Sequence, residues 1–203
     1  MYRYFFKRFL DIVFAFIGFI VLLPINLIVA LLVKCTSKGP IIFKQERLGR
    51  DGKPFKIYKF RTMKNNSEHS GSGVYSGKGD PRVTKVGKFL RATSIDEFPQ
   101  LVNILKGDMS FIGPRPVLTY HPWTIDKYTK KQKERFNVRP GITGWAQVNG
   151  RKQVRWEKRF SYDCFYVEHI SFAFDLKIFF KTIIQVLKNE NNVNTIITVK
   201  KGE

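Results

Sequence analysis

Asp96 and Glu97 stand side by side in "TSIDEFPQ" at 93–100, two adjacent acids in a chain with 36 Lys and Arg against 16 Asp and Glu. A carboxylate so placed can pair with arginine, ligate a metal, or attack phosphorus to give an acyl phosphate, which splits one difficult transfer into two. A plainer use competes with these. Ser94 followed three residues later by Glu97 has the capping-box spacing that satisfies free N–H groups at a helix start. Pro99 works against that use: with Ser94 as cap it would be the fifth helical residue, lacking the N–H that should bond back to Ile95. A helix from Pro99 through "QLVNILK" to Gly107 suits proline at the first position and glycine past the end. The two acids then lie on a turn facing the positive end of that helix. From this stretch alone, cap and functional site both stay open.

Cations that could answer these acids lie on both sides of them. Arg91 closes "VTKVGKFLRATS" at 83–94, which reads as a short helix or turn-helix unit. Arg115 lies between Pro114 and Pro116, which fix the local backbone; this suits a bidentate grip on phosphate or carboxylate, or equally a surface turn. Residues 40–63 read as two strands joined through Arg50-Asp51-Gly52. Alternation on the second strand puts Phe55, Ile57, Lys59 and Arg61 on one side, as a ligand-facing set or as a basic edge that blunts the sheet. The glycines of "RPGITGWAQVNGR" at 139–151 suggest backbone close to a ligand, although their spacing matches neither the phosphate loop nor the dinucleotide motif.

These groups need a scaffold, and the composition allows one. The chain has 203 residues, 43% of them hydrophobic, enough for a single domain with a core or a modest two-part architecture. A net charge of +20 calls for an anionic partner, whether nucleic acid, anionic headgroups or a phosphorylated small molecule. Cys35 and Cys164 belong to no paired ligand set, so neither a zinc site nor a disulfide framework is indicated. There is no repeat of solenoid period and no low-complexity tract.

Residues 12–33, "IVFAFIGFIVLLPINLIVALLV", run for 22 positions without a charge. A straight helix of that length would measure about 33 Å and could cross the hydrocarbon of a bilayer. Pro24 and Asn26 interrupt it, and cations flank both sides, Arg3, Lys7 and Arg8 before it and Lys34, Lys38 and Lys44 after it. Two positive flanks suggest two cytoplasmic ends, a re-entrant helix-break-helix hairpin, against the alternative of a kinked spanning helix. Residues 64–80 form a Gly/Ser/Asn-rich loop, either a lid or a plain connection. Over 171–189, Phe172, Leu176, Phe179, Phe180, Ile183 and Leu187 recur at helical spacing; a core-facing helix is the ordinary reading and a membrane-surface helix the other. His69, His121 and His169 share no spacing and read as surface or loop residues.

Taken in register, "KRFLD" at 7–11, "FKQERLGRDGKPFKIYKFRTM" at 43–63, "DPRVTKVGKFLRATSIDEFPQLVNILKGDMSFIGPRP" at 80–116 and "RPGITGWAQVNGR" at 139–151 resemble the bacterial sugar transferase family. Within it the chain is similar to the small monotopic polyprenol-phosphate phosphoglycosyl transferases, and its length suggests a minimal catalytic unit. The resemblance implies an α+β membrane protein: a re-entrant anchor over 1–36, a mixed α/β cytoplasmic catalytic domain with interfacial amphipathic helices over 37–190, and a polar tail over 191–203. It implies transfer of a phosphosugar from a UDP-sugar to undecaprenyl phosphate at the cytoplasmic face of the bacterial inner membrane, with release of UMP. The expected donor is a UDP-N-acetylated hexosamine, with UDP-galactose or UDP-glucose as the alternative. Mg²⁺ and a covalent intermediate are also implied, with Asp96 as an exposed nucleophile and metal ligand and Glu97 positioning metal or lipid phosphate. Arg91 and Arg115 become the phosphate clamps, with Lys59 and Arg61 as second choices, and Gly141, Thr143, Gly144, Gln147 and Arg151 as the nucleotide side. The chain departs from close relatives in placing Leu23 before Pro24, where a serine often supplies a hydroxyl for a freed carbonyl. A homodimer stays open. Two other classes compete, a basic nucleic-acid-binding protein and an interaction protein without chemistry, and both sit poorly with an acidic pair beside an apolar segment.

Overall fold

The computed structural model describes residues 1–65, 67, 79–150 and 154–187. Most of the expected loop at 64–80, including His69, together with Arg151 and the polar tail, lies outside the described residues.

The apolar segment folds as two helices, α1 (Lys7–Val21) and α2 (Leu23–Thr36), with Tyr2–Phe6 forming a π-helical lead into the first. Their axes differ by 62°, and among the described residues no single helix is long and apolar enough to cross a membrane. The break falls at Leu22, so Pro24 sits in the first turn of α2, where its missing N–H costs little. Asn26 turns inward, and its Oδ1 meets no hydrogen-bond partner among the described residues.

The rest is a mixed α/β body. Strands β1 (Ile42–Leu48) and β2 (Pro54–Phe60) pair antiparallel, Ile42 opposite Phe60 and Leu48 opposite Pro54. The turn joining them holds Asp51 and Gly52 at φ of 58° and 70°, the left-handed region that Gly and Asp tolerate best. Helix α3 (Lys85–Thr93) is capped by Thr84, whose Oγ1 accepts from Gly87 N at 2.9 Å. Helix α4 (Gln100–Lys106) has Pro99 as its N-cap, one position before the expected first helical residue, and ends at Gly107, whose φ of 93° suits only glycine. Strands β3 (Ser110–Ile112) and β4 (Gly141–Thr143) form a second, parallel pair. Short helices α5 (Lys130–Lys133) and α6 (Trp145–Val148) precede the longer α7 (Trp156–Glu168) and α8 (Phe172–Leu187).

Both arms of the bent pair dock on this body. On α1, Ala15 packs with Leu101 and Ile104 of α4; on α2, Val29 and Val33 pack with Phe60 and Leu90. Polar contacts fasten the ends. Arg8 donates to the carbonyls of Ile104 at 2.7 Å and Leu105 at 3.2 Å, capping α4. Asp11 Oδ1 accepts from Ser110 Oγ at 3.0 Å and Phe111 N at 3.1 Å. Lys7 Nζ lies 2.7 Å from Asp175 Oδ2, which also accepts from Tyr2 Oη at 2.6 Å. The far end of α2 is held by Arg61, which donates to Ser37 O at 2.7 Å. Entry and exit of the apolar segment are therefore tied to one and the same body. Its other face is bare: Phe14, Ile17, Ile20, Leu27, Ile28 and Leu31 are each at least half exposed.

Helix α8 corrects the core-facing expectation. It buries Asp175 and Ile178, whereas Phe172, Leu176, Phe179, Phe180, Ile183 and Leu187, the stripe seen in the sequence, are all exposed. Periodicity reports an apolar stripe and not what the stripe faces.

Candidate active site

The acids sit where α3 hands over to α4. Ser94 ends α3 in the left-handed region, φ 60°, an uncommon conformation for a residue with a Cβ. The chain then makes one 3₁₀ turn over Ile95–Glu97, closed by Glu97 N to Ser94 O at 3.1 Å and Phe98 N to Ile95 O at 3.1 Å. Ser94 supplies no side-chain cap, so the capping-box use of Glu97 is absent. Partly buried Ile95 and Phe98 pack against Val33, Phe60 and Leu90 and pin the turn on both sides of the pair.

Three elements bring cations to it. Lys59 on β2 places Nζ 2.6 Å from Glu97 Oε1 and 3.9 Å from Asp96 Oδ2. Arg115, from the segment after β3, places Nη2 3.2 Å from the same Glu97 Oε1. Arg91 on α3 is partly buried and donates from Nε to Thr62 Oγ1 at 2.8 Å, close enough to Asp96 for their charges to attract. Glu97 thus forms a carboxylate bridge between Lys59 and Arg115. Burial alone would raise its pKa, but the Lys59 and Arg115 charges and hydrogen bonds hold it at about 2.

Asp96 differs. Its side chain is 12% exposed, so the expected exposed nucleophile is instead recessed beneath the cations. Among the described residues no group donates a hydrogen bond to it, and burial raises its pKa against the lowering effect of Lys59. A carboxylate that is desolvated, short of hydrogen bonds and flanked by cations keeps its lone pairs free for an incoming electrophile or cation.

The structure separates the other predicted residues. Arg61 does not share the bonding of the acidic pair: it is buried, donates to Ser37 O at 2.7 Å, Ser37 Oγ at 2.9 Å and Val33 O at 3.4 Å, and also bonds Lys38 O. It caps the C-terminal end of α2, an arrangement that suits a cation at the negative end of a helix. Gly141, Thr143 and Gly144 lie behind the Arg115 segment. Gly113 N donates to Thr143 O and Gly141 N to Pro114 O, both at 2.9 Å. A Cβ on Gly141 would overlap Gly113 N, and one on Gly144 would overlap Gly113 O. These glycines allow two backbones to touch, which differs from the close ligand approach expected of them. Gln147 has both amide atoms buried without a partner among the described residues.

Arg47 and Arg135 escaped sequence reasoning. Each bonds a carbonyl of the Arg115 segment, Arg47 Nη1 to Pro116 O at 3.3 Å and Arg135 Nη2 to Arg115 O at 2.7 Å. Nothing in their local sequence announces this, because the partner is a backbone atom distant in the chain. The paired prolines were the available signal: they remove two N–H donors, so this segment has to be held through its carbonyls.

The donor set also bears on a divalent cation. Among the described residues no group of three or more His, Cys, Asp and Glu gathers. Magnesium commonly binds through one or two carboxylates and completes its shell with phosphate oxygens and water. Asp96, with adjacent Glu97, fits that pattern once a diphosphate is present.

Comparison with known proteins follows the same line. The family model described as bacterial sugar transferase matches residues 2–189. The chain is 48% identical over 158 residues to the sugar transferase EpsL of Bacillus subtilis, covering 78% of this chain and 75% of that protein. It is 44% identical over 191 residues to the UDP-glucose:undecaprenyl-phosphate glucose-1-phosphate transferase of Klebsiella pneumoniae, covering 92% of this chain and 41% of that one. It is 43% identical over 186 residues to the UDP-N-acetylgalactosamine-undecaprenyl-phosphate N-acetylgalactosaminephosphotransferase of Aeromonas hydrophila, covering 90% of this chain and 44% of that one. The chain thus spans less than half the length of the latter two relatives.

Proposed function

The chain belongs to the bacterial sugar transferase family, and from that premise we propose that it moves a phosphosugar from a UDP-sugar to undecaprenyl phosphate through a covalent intermediate on Asp96. The observation that carries this reading is the contrast within the acidic pair. Glu97 is engaged through Oε1 by both Lys59 and Arg115, while Asp96 beside it accepts no hydrogen bond among the described residues.

In the first half-reaction an Asp96 carboxylate oxygen bonds to the sugar-bearing phosphorus. The bond from that phosphorus to the bridging oxygen breaks, and its electron pair leaves on UMP. In the second, an oxygen of undecaprenyl phosphate attacks the acyl phosphate, Asp96 departs as carboxylate, and the lipid carries a diphosphate-linked sugar. Arg115 and Lys59 offset the negative charge of the diphosphate that would otherwise repel an incoming carboxylate. Arg91, partly buried beside Asp96, favours its ionised form. Glu97 orients both of its cations, since a carboxylate bonded on one side leaves their remaining donors pointing outward. Magnesium held by Asp96 and Glu97 would neutralise the leaving phosphate.

The bare apolar face of α1 and α2, with both ends on one body, supports a re-entrant anchor over 1–36 that enters and leaves the cytoplasmic leaflet of the bacterial inner membrane. The exposed stripe of α8 supports an interfacial helix of the catalytic domain over 37–190. This geometry would hold Asp96 near the interface, where a polyprenol phosphate presents its charge. The donor is a UDP-linked hexose or N-acetylhexosamine, the two classes that the relatives' names contain.

Purified protein supplied with Mg²⁺, undecaprenyl phosphate and a panel of both donor classes tests the reading. UMP release from one donor is expected, limited to about one equivalent without lipid phosphate, continuing over many turnovers with it, and lost in Asp96→Asn; release undiminished in Asp96→Asn would overturn the covalent route.

A further inference from the structure

An arginine on an exposed arm grips a diphosphate reproducibly only if the backbone beneath it is fixed. Arg115 has such an arm: its side chain is half exposed and its two neighbours are prolines without N–H donors. Four carbonyls in a row hold the strand instead. Pro114 O accepts from Gly141 N at 2.9 Å, Arg115 O from Arg135 Nη2 at 2.7 Å, Pro116 O from Arg47 Nη1 at 3.3 Å, and Val117 O from Leu48 N at 2.8 Å.

The tie on Arg115 itself comes from a side chain that is locked in turn. Arg135 is 2% exposed, and its Nε and Nη2 donate to Asp163 Oδ2 at 3.1 and 2.8 Å. Its guanidinium carbon lies 5.2 and 4.9 Å from the ring centres of Phe136 and Phe160. A buried ion pair of this kind is weak evidence for stability, because apolar residues of similar volume often serve as well or better. Nη2 shared between Asp163 and the Arg115 carbonyl gives the pair a different use. We propose that Arg135, oriented by Asp163, is a positioning residue that sets the backbone of Arg115 and through it the grip on the diphosphate. The inference rests on the reading of Arg115 as a diphosphate ligand.

The double variant Arg135→Met/Asp163→Leu removes both buried charges together and leaves no buried charge unpaired, only the Arg115 carbonyl without its donor, so the fold is expected to persist. It should raise KM for the UDP-sugar by about tenfold and lower kcat/KM by up to about a hundredfold. In an Arg115→Ala background the same two substitutions should change kcat/KM by less than about twofold, because the grip they position is already gone. Equal losses in both backgrounds, or undiminished kcat/KM in the double variant, would overturn the inference. Should the double variant fail to fold, Arg135→Lys keeps the charge opposite Asp163 while giving up the planar fork. It is expected to raise KM in the wild-type background alone, and an unchanged KM counts against the inference. Calorimetric binding of UDP by the same proteins separates the two levels. Wild-type protein that binds UDP without turnover fails the transfer reading only, and the cycle is then read in UDP affinity. Wild-type protein that binds no UDP overturns both.

Discussion

Lys59 Nζ donates to Glu97 Oε1 at 2.6 Å across 38 residues of sequence, with each side chain only 18% exposed. The bond satisfies the lysine through Glu97 and leaves it 3.9 Å from Asp96, near enough to attract that carboxylate without covering it. Glu97 is thereby the anchor of the cations, and Asp96 keeps its oxygens clear, as the proposed nucleophile requires.

The pH dependence of transfer follows from this. Burial raises the pKa of Asp96, and Lys59 is the strongest influence lowering it. The nucleophile must be ionised, so kcat/KM falls as pH drops through that pKa. In Lys59→Met the lowering is gone, and the acid limb of the profile should move to higher pH, with kcat/KM at the plateau reduced by roughly a hundredfold. Superimposable profiles would disprove the coupling.

Asp96→Asn should separate chemistry from folding. A group whose folded pKa is raised contributes stability that is complete below its unfolded pKa and lost as pH rises through the folded value. At neutral pH the ionised, desolvated Asp96 is therefore a liability that an amide of the same size does not carry. The variant is expected to lose the covalent phosphosugar adduct in mass spectra yet melt no lower than wild type at pH 7.5. A fall of several degrees would show that Asp96 is a structural residue.

Arg61 offers the opposite pattern. Its guanidinium binds the carbonyls at the end of α2, so Arg61→Met should cost about 2–4 kcal/mol from buried acceptors left unpaired. KM for the UDP-sugar should stay within about twofold of wild type in protein that folds, as expected for a residue that makes no uniform-binding contact. A raised KM with unchanged stability would return Arg61 to the phosphate site.

Gly141→Ala probes the backing of Arg115. The added methyl would overlap Gly113 N and Thr143 O, both backbone atoms that cannot swing aside. Overpacking of this sort costs about 1–3 kcal/mol, measurable as a lower denaturation midpoint. UDP affinity should fall with it, and unchanged stability would mean that the strands have room to part.

Membrane topology can be read with one natural and one introduced cysteine. Cys35 is exposed near the end of α2, and Tyr4 is 81% exposed ahead of α1. In spheroplasts an impermeant thiol reagent should label neither Cys35 nor Tyr4→Cys, and both should react once the membrane is opened. Labelling of just one from outside would establish a spanning helix instead.

Much of the local structure was legible in the sequence, because local structure depends on neighbours in the chain. Pro99 and Gly107 bracket α4 as their backbone preferences require, Asp51-Gly52 turns the hairpin, and Pro24 marks the break between α1 and α2. The adjacent acids and the proline-flanked Arg115 also stood out, since few other uses explain such residues together. Only the tertiary structure decided what each group meets. Strand alternation puts Lys59 of β2 and Arg61 just past its end on one side, yet Lys59 reaches Glu97 while Arg61 reaches the end of α2. The apolar stripe of α8 faces outward although the same spacing would suit a core. Gly141 and Gly144 serve the backbone of Gly113, 28 and 31 residues away. Asp96 lies recessed because the turn, Lys59 and Arg115 converge on it from separate elements. Hydrogen bonds and burial are properties of atoms brought together by folding, so a chain position shows which chemistry a residue can do, and the packing around it determines which it does.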